Sequence, residues 1–403
     1  NLHSVSGSQV LVGSDDGLVE YDFQKNSWRI LSEKSASSSN PLDRFIYSIA
    51  SDREGGLWVG TFYSGVRYIP SAAFDNRFKA YFGDNEGDFK GNVVGRFVED
   101  ALHRIWIATD DAGLDCYDPV SGKFVNFPGK AAMRKYNVHA LLAEGSTLWL
   151  GTYGSDIIRM DMTTGATKTY RLENAPAGSS CYCLFRDSRH RLWATSMNKA
   201  FIFNEGKNAF DMVKTLNSLT IDIDEDRQGN VWFGTQGNGL WRYGANKAWK
   251  QFMHGDGGSA TMPGSQINCL HFNGKDRMYI ATNVGLYTYN VATGKFSKAD
   301  VNAPSQDFTS IIEVQGELWL SSSKGIVRYV PGEPVQVFNR YDGLTCDQFL
   351  PNSGLLASDG RIYFGTTQGF NAFYPYQVKV NHVAPPVAIT SLELFNKHVE
   401  VGS

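Results

Sequence analysis

At 403 residues the chain exceeds the roughly 250 to 300 at which a single hydrophobic core stops growing, so it must be several domains or an array of repeats. Hydrophobic residues at 42%, charged residues at 20% and a net charge of −3 exclude a disordered chain and an electrostatic binder of nucleic acid. A glycine count of 41 and 13% aromatic residues point to many turns joining strands with large packing side chains, hence an all-β protein.

The chain opens Asn1-Leu2-His3 without an initiator Met, a basic n-region or an apolar h-region, and is expected to be a mature or excised fragment. No apolar stretch approaches the ~18 residues of a membrane span. Cys116, Cys181, Cys183, Cys269 and Cys346 are odd in number and widely spaced, which argues against a disulfide framework. No Asn-x-Ser/Thr acceptor for glycosylation occurs.

From the first residues onward one phrase recurs: an apolar strand, an Asp-containing turn, Leu-Trp-apolar-Gly-Thr, a short loop, Gly-Leu-x-x-Tyr, then a turn and another aromatic strand. A weak copy is centred on Leu11, and a clear one spans Ile49 to Tyr68. Arg77 to Phe82 follows as an isolated alternating aromatic segment. Further copies are centred on Trp106, Trp149, Trp193, Trp232, Tyr279, Trp319 and Tyr363. The spacing averages about 44 residues, the length of a propeller blade and longer than a helical repeat. Period-2 alternation within each copy also excludes helices. Each copy reads as a four-stranded meander, strands a to d from the axis outward; in the sixth these are near Leu219 to Asp224, Val231 to Thr235, Leu240 to Tyr243 and Trp249 to Phe252. In such a meander the b–c loops share one face with the long blade-to-blade crossovers, such as Pro128 to Asn137 and Met253 to Ser265, and that face is the expected working face. The last copy lacks an evident d strand, and the 77–82 segment is expected to supply it by pairing antiparallel with Gly369 to Tyr374.

The phrase Asp-x-x-Gly-x-Leu-Trp-x-Gly-Thr…Gly-Leu-x-x-Tyr resembles the regulator-propeller repeat of the periplasmic sensor regions of bacterial hybrid two-component receptors. Gly55 to Val66 is similar to the copy that closes the first of two propellers in those sensors, and Asp342-Gly343-Leu344 with Gly365 to Pro375 to their final blade. The tail Pro385 to Lys397 resembles the opening strand of the immunoglobulin-like domain that follows. The resemblance implies three parts: residues 1–72 as two blades left over from an upstream propeller, 73–377 as a closed seven-bladed ring, and 378–403 as the first strand of the next domain. It implies a ligand-sensing part of a membrane-anchored receptor, periplasmic, a homodimer in the full receptor, attached to the membrane only through segments outside this chain. Copies one, five and eight depart from the phrase at Leu11, at Ala194-Thr195 with Asn198-Lys199-Ala200, and at Ser321-Ser322.

The Trp column is read as core between blades, and the turn acids Asp52, Asp100, Asp187 and Asp226 as caps of their own backbone amides. Asp222-x-Asp224-x-Asp226 echoes a calcium loop but lacks Gly at the sixth position and the later Glu. No metal, cofactor or nucleic acid is expected. The b–c loop tips differ chemically on a constant framework: Phe62, Tyr63, Asp110, Asp111, Tyr153, Asn198, Lys199, Gln236, Asn238, Asn283, Lys324 and Gln368. Of these, Asp110, Asp111, Tyr153, Asn198, Lys199, Gln236 and Asn238 are the candidate contacts for an oligosaccharide. A propeller glycosidase or lyase and a protein-docking scaffold are the alternatives; no nucleophile motif or sequence-local carboxylate pair supports an enzyme.

Overall fold

The computed structural model describes residues 2–6, 9–15, 17–30, 45–52, 55–62, 65–69, 78–83, 89–173, 175, 179–253, 266–378, 393–394 and 397–398. Tyr63, Arg77, the Met253 to Ser265 crossover after Met253 and most of the Pro385 to Lys397 tail lie outside them.

The architecture is an all-β propeller of four-stranded antiparallel sheets. Blade one comprises Val94–Glu99, Ile105–Thr109, Gly113–Asp118 and Lys123–Phe124, and blade four Thr220–Glu225, Val231–Thr235, Leu240–Tyr243 and Trp249–Phe252. Each of seven innermost strands touches the next, and the last, Phe349–Leu356, touches the first, Val94–Glu99, so the ring closes at seven blades. Two further sheets precede it, one of four strands and one of three.

Seven buried apolar clusters lie one at each seam between blades. The second-strand aromatic of each blade sits in the cluster shared with the following blade, and Trp106, Trp193, Trp232, Trp319 and Tyr363 are fully buried. Burying one such ring is worth roughly 5 kcal/mol on an area basis, so this column carries much of the cohesion between blades. In the preceding pair of sheets Leu11 fills the same seam, whereas Trp58 is 49% exposed because no further blade among the described residues covers it.

The seventh sheet is composite. Its strands Phe349–Leu356, Ile362–Thr366 and Gly369–Phe373 are completed by Lys79–Tyr81 from upstream, which pairs antiparallel with Phe370 to Ala372. The expected clasp is therefore present. It occupies the register of an ordinary d strand: a Cβ on Gly369 would strike the Tyr81 carbonyl, as one on Gly325 would strike that of Phe338 in blade six. Both glycines also hold φ of +108°, a left-handed conformation that a side chain disfavours.

Candidate ligand site on the crossover face

The b–c loops of the ring are built alike except in blade three, where the Thr195 hydroxyl has no hydrogen-bond partner among the described residues. The Thr that ends strand b donates its hydroxyl to the carbonyl three or four residues on: Thr109 to Gly113 (3.1 Å), Thr152 to Asp156 (2.8 Å), Thr235 to Gly239 (2.6 Å) and Thr366 to Gly369 (3.0 Å). This fixed turn leaves the intervening tips free to vary. On the other face the turn acids act as caps. Asp100, Asp187 and Asp226 each accept backbone amides two and four residues ahead. Each also accepts the indole N–H of the Trp six residues on, at 2.7 to 2.8 Å.

The candidate tips fall into two groups. At the seams of blades one to three, the Asp110 carboxylate lies 3.8 Å from Nδ1 of His139, whose ring is 6.0 Å from Tyr153 and 5.0 Å from Tyr182. Tyr153 is 59% exposed and offers an open ring face. Burial raises the Asp110 carboxyl and lowers the His139 imidazole, so both shifts favour the uncharged forms. At blades three and four the groups converge on the crossover through Leu216 to Leu219. The Asn198 carbonyl accepts the Leu216 amide at 2.7 Å, Asn238 Nδ2 donates to the Leu216 carbonyl at 2.5 Å, and the Gln236 amide donates to Leu219 at 2.9 Å. The side chains of Asn198 and Gln236 are exposed, and Lys199 is half-buried with its carbonyl accepting from Ser196 at 3.0 Å. Asp111 is committed differently: its two carboxylate oxygens accept the Asn92 amide at 3.0 and 2.8 Å, so it positions the entry to blade one.

His139 and Tyr182 escaped the sequence reading. His139 is the extra residue of a bulge: Val138 pairs with Thr152 and Ala140 with Gly151, leaving it unpaired. The same slip leaves Gly95, Ile221, Asn268 and Thr309 unpaired at the starts of other inner strands. A bulge re-aims a side chain without altering the hydrophobic pattern that sequence reading uses.

Behind these tips the axis is bridged. Arg96 of blade one donates to the carbonyls of Ile221 in blade four, at 3.0 Å, and Pro351 in blade seven, at 2.9 Å. Asp222 accepts Asn352 Nδ2 at 2.6 Å and the Leu270 amide at 2.7 Å, and Asp224 accepts the Phe272 amide at 2.6 Å. The two carboxylates thus point the same way, towards blade five, as residues two apart on a strand do. Both are spent on protein donors, and among the described residues no cluster of three or more His, Cys, Asp or Glu is arranged to hold a metal.

On the opposite face, Ser358 Oγ lies 2.9 Å from His103 Nδ1, and both bond the Glu99 carboxylate. Because Ser358 and Glu99 share the same ring nitrogen, the imidazole cannot relay a proton between them. The trio latches blade seven to blade one, as Ser188 and Glu225 latch blade three to blade four.

The profile of the two-component regulator propeller family matches residues 40–63. Over its whole length the chain is 22% identical to histidine kinase P4 of Formosa agariphila, spanning 38% of that protein. Its fold matches the extracellular domain of the Bacteroides thetaiotaomicron protein BT3049, assigned to a hybrid two component system, with a TM-score of 0.63 and 17% identity over 100% of this chain and 66% of that one. The extracellular domain of BT4673 from the same bacterium, assigned to a one component system, matches with a TM-score of 0.61 and 18% identity over 99% and 56%. The chain therefore spans about two fifths of its curated relative and under two thirds of the crystallised BT4673 domain. Among the described residues no helix is long and apolar enough to cross a membrane.

Proposed function

We propose that the chain is the ligand-sensing part of a membrane-anchored hybrid two-component receptor, exposed to the periplasm, in which a bound oligosaccharide alters the arrangement of a receptor dimer and so histidine-kinase signalling. In this reading residues 73–377 are the sensing ring, 1–72 the last two blades of an upstream propeller, and 378–403 the start of an immunoglobulin-like domain leading to the membrane. The observation that carries it is the crossover face: Thr-closed loops present exposed Tyr153 and Gln236 with Asp110, and the blade-three loop adds exposed Asn198 and half-buried Lys199. An aromatic face with a carboxylate in one group of tips and amides in the other suits a polyhydroxylated ligand, which stacks its C–H face and hydrogen-bonds its hydroxyls. Asp111 and Asn238 support the site by holding its loops. In this reading the chain acts as a binding module, and the Ser358–His103–Glu99 grouping serves as a seam latch.

Titrating the chain with a panel of plant and algal oligosaccharides tests this. Binding without turnover is expected, and Tyr153→Ala with Gln236→Ala should weaken it at least tenfold while leaving the melting temperature within a few degrees. Turnover of any sugar would favour the enzyme, and binding of none would favour a docking scaffold.

A further inference from the structure

The crossover face also carries a cleft of about 600 Å³ at the seam of blades six and seven. It is lined by the b–c loop tips Lys324 and Gln368 and by Gln348 of the crossover, and Val337 and Pro304 add an apolar patch. Three features single it out. First, the charges are unbalanced. Asp347, the acid in the wall, is engaged by its own crossover: its carboxylate accepts the Arg340 amide at 2.8 Å and lies 3.8 Å from that residue's guanidinium. Lys324 is exposed, and no carboxylate among the described residues pairs with its ammonium. Second, the lining is made of donors, amides and hydroxyls beside a small apolar patch, which fits a sugar ring better than a lipid or an aromatic ligand. Third, blade seven is where the chain both enters and leaves the ring, through Lys79–Tyr81 and through the turn Pro375–Gln377. A ligand wedged between blades six and seven therefore bears on the sheet that connects the ring to both of its chain neighbours.

We propose that this cleft is a binding site for an acidic oligosaccharide, with Lys324 receiving a uronate carboxylate or a sulfate and the Gln348 and Gln368 amides reading ring hydroxyls. The proposal rests on the sensor reading of this face but places the anionic part of the ligand at blades six and seven, away from Tyr153.

Cys346 in the cleft wall is half-buried, whereas Cys116, Cys181, Cys183 and Cys269 are buried, so it serves as a built-in reporter. The full chain would be labelled with a maleimide in the presence of tetragalacturonate, a sulfated galactotetraose, or neutral galactotetraose, with Cys346→Ser identifying the labelled thiol. Affinities would be measured in parallel by calorimetry. The expected result is that one or both acidic sugars slow labelling of Cys346 at least fivefold while the neutral sugar does not. Lys324→Ala should weaken the protecting sugar roughly tenfold without changing the melting temperature, the loss of one charge-assisted hydrogen bond. Protection by the carboxylated but not the sulfated sugar, or the reverse, identifies which anion is read. Binding of an acidic sugar without protection of Cys346 and without an effect of Lys324→Ala would overturn the cleft while leaving the sensor reading standing. Equal protection by the neutral sugar would overturn the acidic specificity, and no binding of any sugar would overturn both readings.

Discussion

At the scale of single residues, the Asp that opens the a–b turn does more than shape the turn. Asp226 accepts the Gln228 and Asn230 amides, both donor contacts of the Asn230 side-chain amide and the indole N–H of Trp232, which is fully buried. Asp187 does the same for Trp193 and also pairs with Arg191 at 2.6 Å, whose guanidinium lies 5.2 Å from the Trp193 ring centre. Removing such an acid strands a buried indole donor and its neighbours, each costing about 1 to 3 kcal/mol. Asp226→Ala is therefore expected to destabilise the ring by about 3 kcal/mol in urea unfolding. Asp118→Ala, at an exposed turn where the carboxylate caps the Val120 amide at 2.9 Å, should destabilise the ring far less. Equal losses in the two variants would show that the indole bond contributes nothing.

Among the strands, the clasp is the element on which the ring depends. Tyr81 stacks on Phe370 at 4.4 Å with rings 8° apart, and its hydroxyl donates to that of Tyr117 in blade one at 2.8 Å. Phe78 packs on Phe338 of blade six at 5.2 Å and Phe373 of blade seven at 4.8 Å. The three-residue strand and the Phe78 that precedes it thus fill two seams as well as an edge that would otherwise be open to pairing with another chain. A chain beginning at residue 73 should fold to a monomeric ring, while one beginning at residue 84 should lose at least 10 °C in melting temperature and aggregate. Tyr81→Ala in the full chain should cost about 3 to 5 kcal/mol. Indistinguishable melting of the two truncations would refute the role given to the clasp.

For the whole molecule, the axis network is the main titratable feature. Burial pushes the Asp222 carboxyl up to about 6, opposed by the Leu270 amide and Arg96. Burial, together with the charge of Asp222, pushes Asp224 up to about 7. With a folded value near 7 against an ordinary 3.8, Asp224 holds its proton more tightly in the folded state. The folded protein thus binds more protons in that window, so stability from this group is greatest below about pH 4 and declines as pH rises towards about 7. Asp224→Asn removes the titration. The wild type should therefore lose stability relative to this variant, by a few kcal/mol at most, between pH 4 and pH 7.5, with no further change above. Half-buried His139 and His271 act in the opposite sense below pH 6.5 in both proteins and cancel in the difference. A difference curve flat across that range would show that Asp224 is ionised in the folded protein throughout.

What the sequence determined by itself follows from local rules repeated many times. Strand alternation, the Asp turn, the Gly-Thr loop and the period of about 44 residues recur in each copy, so errors in one copy are corrected by the others. The strands of blade four, the Trp column and even the partner of the 77–82 segment were legible for this reason, the last because an unpaired edge and an orphan strand imply one another. The tertiary structure decided what depends on neighbours far apart in the chain. It decided that the bulge at His139 turns that ring towards Tyr153 and Tyr182, that Arg96 meets carbonyls across the axis, and that Asp111 and Asn238 are spent on holding loops. It also placed a recess on this face at blades six and seven, beside Lys324 and Gln368. A bulge changes no hydrophobic pattern, and a cleft between blades is formed by two copies and a crossover, so neither leaves a mark within any one repeat.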